Sequence, residues 1–174
     1  SKELPVWLRA TLVNYLSSYT ENSAWAVGGT PPVEWAGSGG LFAVMESVRR
    51  VPEFGTIPTD WYGGIPMALF FPELARNTLR GYAHYMREDG AVPMSWTILC
   101  PSSNDMAAQG RYDWQQSLNG VCFVGLVDRL WRCTGDDGVL KEFYSAVKKS
   151  IQFSMSLSPG PDPVISMPPG GQGA

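Results

Sequence analysis

Six carboxylates of this chain stand close to aromatic loop residues: Glu34, Glu46, Glu53, Asp60, Asp105 and Asp113. Cleavage of a glycosidic bond needs two such groups, roughly 5 to 5.5 Å apart for retention of configuration or about 6.5 to 9.5 Å for inversion. Glu46 is the most informative of the six. In the stretch Gly40 to Arg50, GLFAVMESVRR, it follows an apolar run and is itself followed by Arg49 and Arg50. On a helix it would pair with these cations at i,i+3 and i,i+4, a surface arrangement worth about 0.2–0.5 kcal/mol. On an extended segment, Val44, Glu46 and Val48 would share one face. Burial would then push the carboxyl up, and a neighbouring arginine would keep it ionised, as a nucleophile requires. Pro52 and the glycines before Leu41 leave little room for the helical alternative. Both readings stand on the residues alone.

Aromatic side chains commonly stack on sugar faces, and Trp25, Trp35, Trp61, Tyr62, Trp96, Tyr112 and Trp114 lie in or beside Gly- and Pro-rich segments. Such rings equally fill cores. The one histidine, His84, has no nucleophile motif around it and reads as an ordinary helix imidazole. No GxxxxGK[ST] or strand-to-helix GxGxxG is present, so nucleotide binding has no support. Asp136 and Asp137 fall in the turn Thr134-Gly135-Asp136-Asp137-Gly138, where aspartate serves caps and turns.

A length of 174 residues is enough for a sizeable core. The charged fraction, 17%, is low and the aromatic fraction, 12%, is high, which suits a cleft or an internal surface more than a charged partner. A net charge of −3 supplies no footprint for nucleic acid or anionic membrane. Cys100, Cys122 and Cys133 have neither CxxC spacing nor an even count. They read as reduced core or near-core thiols and favour a cytoplasmic setting, with no metal site or cofactor implied. No segment approaches the ~20 continuous apolar residues of a membrane helix, and Ser1-Lys2-Glu3 does not open a secretory signal.

The elements that must position these groups are mostly helical by pattern. Leu4 to Thr20 carries Leu8, Leu12, Tyr15, Leu16 and Tyr19 at helical spacing behind Pro5. Ala26 to Gly40 reads as a long irregular loop. Asp60 is placed to cap a second helix through Trp61, Tyr62, Ile65, Ala68 and Leu69. A third helix begins at Pro72 and runs toward Asp89-Gly90, with Leu74, Thr78, Leu79, Tyr82 and Met86 along one side. Leu118 to Cys133 is expected as a largely buried helix, and Val139 to about Leu157 as an amphipathic one. The tail from Ser158 holds five of the 14 prolines and is not helical. Strands look too few and too short to build a sheet, so the expectation is an all-α fold. Successive helical hairpins with long aromatic loops would make it part of an α/α toroid, roughly its first half.

Taken together, GLFAVMESVRRVPEFGTIPTDWYGGIPMALFFPELARNTLRGYAHYMREDGAVP, the preceding LPVWLRATLVNYLSSYTENSAWA and the later LNGVCFVGLVDRLWRCTGDDGVLKEFYSAVKKSIQFSM resemble the catalytic region of glycoside hydrolase family 116, the bile-acid β-glucosidase group, in its bacterial branch. The resemblance runs over nearly the whole chain in order. It implies an (α/α)6 barrel, of which residues 1–174 would be the N-terminal part of a single catalytic domain. It also implies a retaining, exo-acting glycosidase acting on a glycoside without cofactor. Glu46 matches the family's nucleophile, ahead of the FFPEL helix. The family's acid/base carboxylate would follow the Gly-rich MPPGGQGA and lie beyond Ala174, so residues 1–174 alone are expected to be inactive. Asp60, Trp61 and Tyr62 are expected to line the sugar site, Arg49 to hold Glu46 ionised, and Arg111 and Asp113 to offer weaker substrate contacts. Two positions depart from the family: Pro58 stands where it has an aspartate, and Pro93-Met94-Ser95 where it has Pro-His-Asp. Its pattern of glucose contacts is therefore not carried over. The rival readings are a catalytically silent carbohydrate-binding or scaffold toroid and a different carbohydrate enzyme on the same toroid, such as an inverting hydrolase or a lyase.

Overall fold

The computed structural model describes residues 4–29, 33–47, 51–96, 110–112 and 115–158. The segment expected as one N-terminal helix is two, α1 (Val6–Tyr15) and α2 (Ser17–Glu21). Strand β1 (Ser23–Ala26) follows at once, and the Gly-rich loop after it includes a 3-10 turn over Glu34–Gly39. The apolar run that opens on Gly40 is strand β2 (Leu41–Ser47), and β3 (Val51–Phe54) returns beside it. Two short helices, α3 (Ile57–Gly63) and α4 (Ile65–Phe70), each carry a proline in the first turn, where a missing N–H costs nothing. They lead into α5 (Pro72–His84). The two-residue strands β4 (Ser95–Trp96) and β5 (Gly110–Arg111) pair with each other. The helical hairpin α6 (Gln116–Thr134) and α7 (Asp137–Ser156) completes the described fold.

The expectation of an all-α architecture, the N-terminal part of an (α/α)6 toroid, is overturned. Among the described residues the helices combine with two antiparallel sheets, one ordered β1-β2-β3 and one β4-β5. The physical reason lies in β2, which is buried on both faces. Leu41 and Ala43 enter the main core with Phe54, Ile57, Leu79, Tyr82 and Trp96, while Phe42 and Val44 pack on Met67 with Tyr19 and Leu74. A strand covered on both sides shows no apolar alternation, and its short flanking partners have no period of their own. In the β2–β3 ladder the register shifts between Met45 and Ser47, opposite Pro52. Proline has no N–H to donate and is tolerated in sheets at such irregularities.

Polar side chains fasten this sheet to the helices. Asn77 of α5 accepts the Phe42 N–H at 2.5 Å and donates to the Gly40 carbonyl at 2.8 Å, all of it buried. Trp96, fully buried, slots between Gly55 and Gly81, where any Cβ would collide with the indole. The α6–α7 hairpin closes as the turn chemistry predicts. Gly135 takes a left-handed conformation at φ 66°, and Asp136 caps α7 by accepting from the Gly138 N–H at 2.7 Å. Helix α5 stops at His84, short of Asp89-Gly90, because Arg87 and Ala91 pair across a turn there instead. The imidazole of His84 lies flat on Trp35, with ring centres 3.9 Å apart. Cys133 is exposed rather than near-core, and Cys122 is half-buried.

Candidate functional site

The alternation of β2 decides where Glu46 goes. Phe42, Val44 and Glu46 share one face; the first two are buried against Met67, and Glu46, near the strand end, is exposed. The helical salt-bridge alternative is thereby excluded for Leu41–Ser47. The ladder irregularity falls at Glu46, and such irregularities re-aim side chains beside functional sites.

Helix α3 supplies the facing wall. Ile57 and Asp60, three residues apart, turn inward together, so Asp60 is 6% exposed and does not cap a helix as its position suggested. Its Oδ2 accepts a hydrogen bond from the Tyr82 hydroxyl of α5 at 2.6 Å. Burial dominates the carboxyl's acidity: it rises from 3.8 to about 7, only partly offset by the Tyr82 hydrogen bond. Tyr82 is itself pushed well above 10, first by burial and then by the Asp60 charge.

Glu46 and Asp60 line the same cleft, of about 130 Å³, together with Tyr19, Asn22, Thr59, Tyr62 and Met67. Its far end is tied down by the Tyr19 hydroxyl, which donates to the Gly63 carbonyl at 2.7 Å. Tyr62 is 68% exposed, so its ring is available to a ligand. Two carboxyl groups thus share one cleft, one at an exposed strand end and one sealed in the wall.

Other expected contacts go elsewhere. Trp61 turns away from the cleft onto α6, where Arg129 covers one face of its ring and Gly125 makes room for its edge. Arg111 forms an ion pair with Glu53, whose Oε2 also accepts from Ser95 Oγ at 2.7 Å; this group joins β3 to β4 and β5. Arg111 is therefore tied to the scaffold, not to the Glu46 cleft. Arg49 and Asp113 lie outside the described residues. Trp96 is core, not a sugar platform. Sequence reasoning missed Tyr82 and Tyr19 as site residues, because each falls on an apolar helical stripe and its hydroxyl partner lies 22 or 44 residues away in the chain.

Among the described residues no group of three or more histidine, cysteine or acidic side chains could hold a metal ion, and no helix is long and apolar enough to cross a membrane. In comparisons with known proteins, the sequence matches no family model and no curated protein.

Proposed function

We propose that the chain carries the nucleophile-bearing part of a retaining, exo-acting, β-glucosidase-like glycoside hydrolase, with Glu46 as the nucleophile. The observation that carries this reading is the shared cleft. An exposed glutamate at the end of a rigid, doubly packed strand faces a buried carboxyl and an open tyrosine ring, in a space suited to a small polar ring. Glu46 attacks the anomeric carbon and forms a glycosyl-enzyme ester, and water then releases the sugar. Tyr62 supplies a stacking surface. A second carboxyl group protonates the departing oxygen and later activates the water.

An activated sugar with its own good leaving group tests the nucleophile without that acid. Incubation with a 2-deoxy-2-fluoro-β-D-glucosyl fluoride, followed by intact mass and peptide mapping, should show one glycosyl adduct on Glu46 and none in Glu46→Gln. An adduct on another residue would reject the assignment. No adduct at all would favour a silent carbohydrate-binding protein.

A further inference from the structure

Asp60 is the feature that the nucleophile assignment does not use. It is a carboxyl group in the wall of the cleft, 6% exposed, and its only hydrogen-bond partner among the described residues is the neutral Tyr82 hydroxyl on Oδ2. Oδ1 makes no hydrogen bond there. Among the described residues, Arg129 gives its Nη1 to the Asp60 backbone carbonyl at 3.4 Å and lays its guanidinium over the Trp61 ring, not on the carboxylate. A buried carboxylate without a paired cation is costly, whereas the neutral acid loses little by burial.

We propose that Asp60 reads the substrate as a neutral carboxylic acid, with Oδ2 held by the Tyr82 hydroxyl and the Oδ1 proton donated to a sugar hydroxyl in the cleft. This rests on the reading of the cleft as a sugar site, and it adds how the sugar is recognised and why recognition depends on pH. A donor fixed in the wall suits an uncharged polyol oxygen. The same group, once ionised, can only accept, and its charge would lie in one cleft with Glu46.

The titratable and charged groups around Asp60 agree with this. Among the described residues, Glu46 lines the cleft with it from β2, Tyr19 from α2 and Tyr62 from its own helix, Tyr82 holds it from α5, and Arg129 lies beside it from α6, with Cys122 behind Tyr82; α4 contributes none. Burial brings Asp60 itself to about 7. Binding of a neutral sugar should therefore fall through that range. Apparent affinity scales with the fraction in the competent form, so between pH 5.5 and 8.5 the loss is about 30-fold.

Calorimetric titration of the protein with methyl β-D-glucopyranoside, whose own charge is constant, tests this. Wild type should bind at pH 5.5 and lose about 30-fold by pH 8.5. Asp60→Asn, whose amide can face Tyr82 with its oxygen and the ligand with its NH2, should bind equally at both pH values. Tyr82→Phe removes the hydrogen bond that favours the charged form, so the midpoint should move up. A flat wild-type profile, an unmoved Tyr82→Phe midpoint, a pH-dependent Asp60→Asn or no binding at pH 5.5 each overturns the proposal. Adduct formation on Glu46 is read separately. Labelling without pH-dependent binding sinks the Asp60 role alone, and pH-dependent binding without labelling sinks the nucleophile alone.

Discussion

The guanidinium of Arg129 sits 4.7 Å from the centre of the Trp61 ring. That contact makes Trp61 part of the α3–α6 seam, while its neighbour Tyr62 stays 68% exposed beside Glu46. The two adjacent aromatics should therefore separate in their effects. Trp61→Ala should cost about 2 kcal/mol, less than a fully buried tryptophan because the ring is 39% exposed. Tyr62→Ala should change stability by less than about 0.5 kcal/mol yet weaken sugar binding. Urea denaturation and calorimetric titration of both variants would show the split; equal stability losses would refute it.

Asn77→Ala should be among the most damaging single polar substitutions. It leaves the Phe42 N–H and the Gly40 carbonyl buried without their partner. Each such orphan costs about 1–3 kcal/mol, so a loss of about 2–6 kcal/mol is expected in denaturant midpoint measurements. Asn77→Asp should restore only the contact with the Phe42 N–H, because a carboxylate cannot donate to Gly40.

Asp60 sets a pH dependence of stability with an unusual sign. Its carboxyl gives up its proton near 3.8 when unfolded and near about 7 when folded. Between those values the folded state binds the more protons, so stability falls as pH rises, by an amount on the order of a few kcal/mol. Asp60→Asn removes this slope. Melting temperatures from pH 4 to 8 should show wild type dropping relative to the variant, with most of the difference developed by pH 7. Parallel curves would count against the buried acid.

Glu142 behaves in the opposite way. Burial opposes its charge, but hydrogen bonds from Arg80 at 2.5 Å and Arg76 at 2.7 Å outweigh it and hold the carboxyl below its ordinary 4.5. Its contribution is present above about pH 4.5 and is lost as pH falls through the lowered folded value. The site is half open to solvent and salt-screened, so Glu142→Gln should cost about 1 kcal/mol at pH 7. The cost should shrink in high salt and disappear as pH falls through that lowered value. A cost unchanged by salt would mean that packing, not charge, joins α5 to α7.

The sequence by itself determined the helices that carry a regular apolar stripe. Pro72 opens α5, α6 and α7 fall within two residues of the expected bounds, and the Gly135-Asp136 turn caps as its chemistry requires. These are local facts, set by residues within one or two helical turns. From six carboxylates it put forward Glu46 as the candidate nucleophile and Asp60 and Asp113 as candidate substrate contacts. It could not show the sheet: β2 is buried on both faces, and β1, β3, β4 and β5 are two to four residues long. Nor could it show that Asp60 meets Tyr82, that Trp61 is spent on Arg129, or that Arg111 is paired with Glu53. Each of these joins residues distant in the chain, and burial with hydrogen bonding between elements exists only once the elements have packed. Residue spacing suggested which groups could do chemistry; the tertiary structure decided which of them share a cleft and which of those is buried.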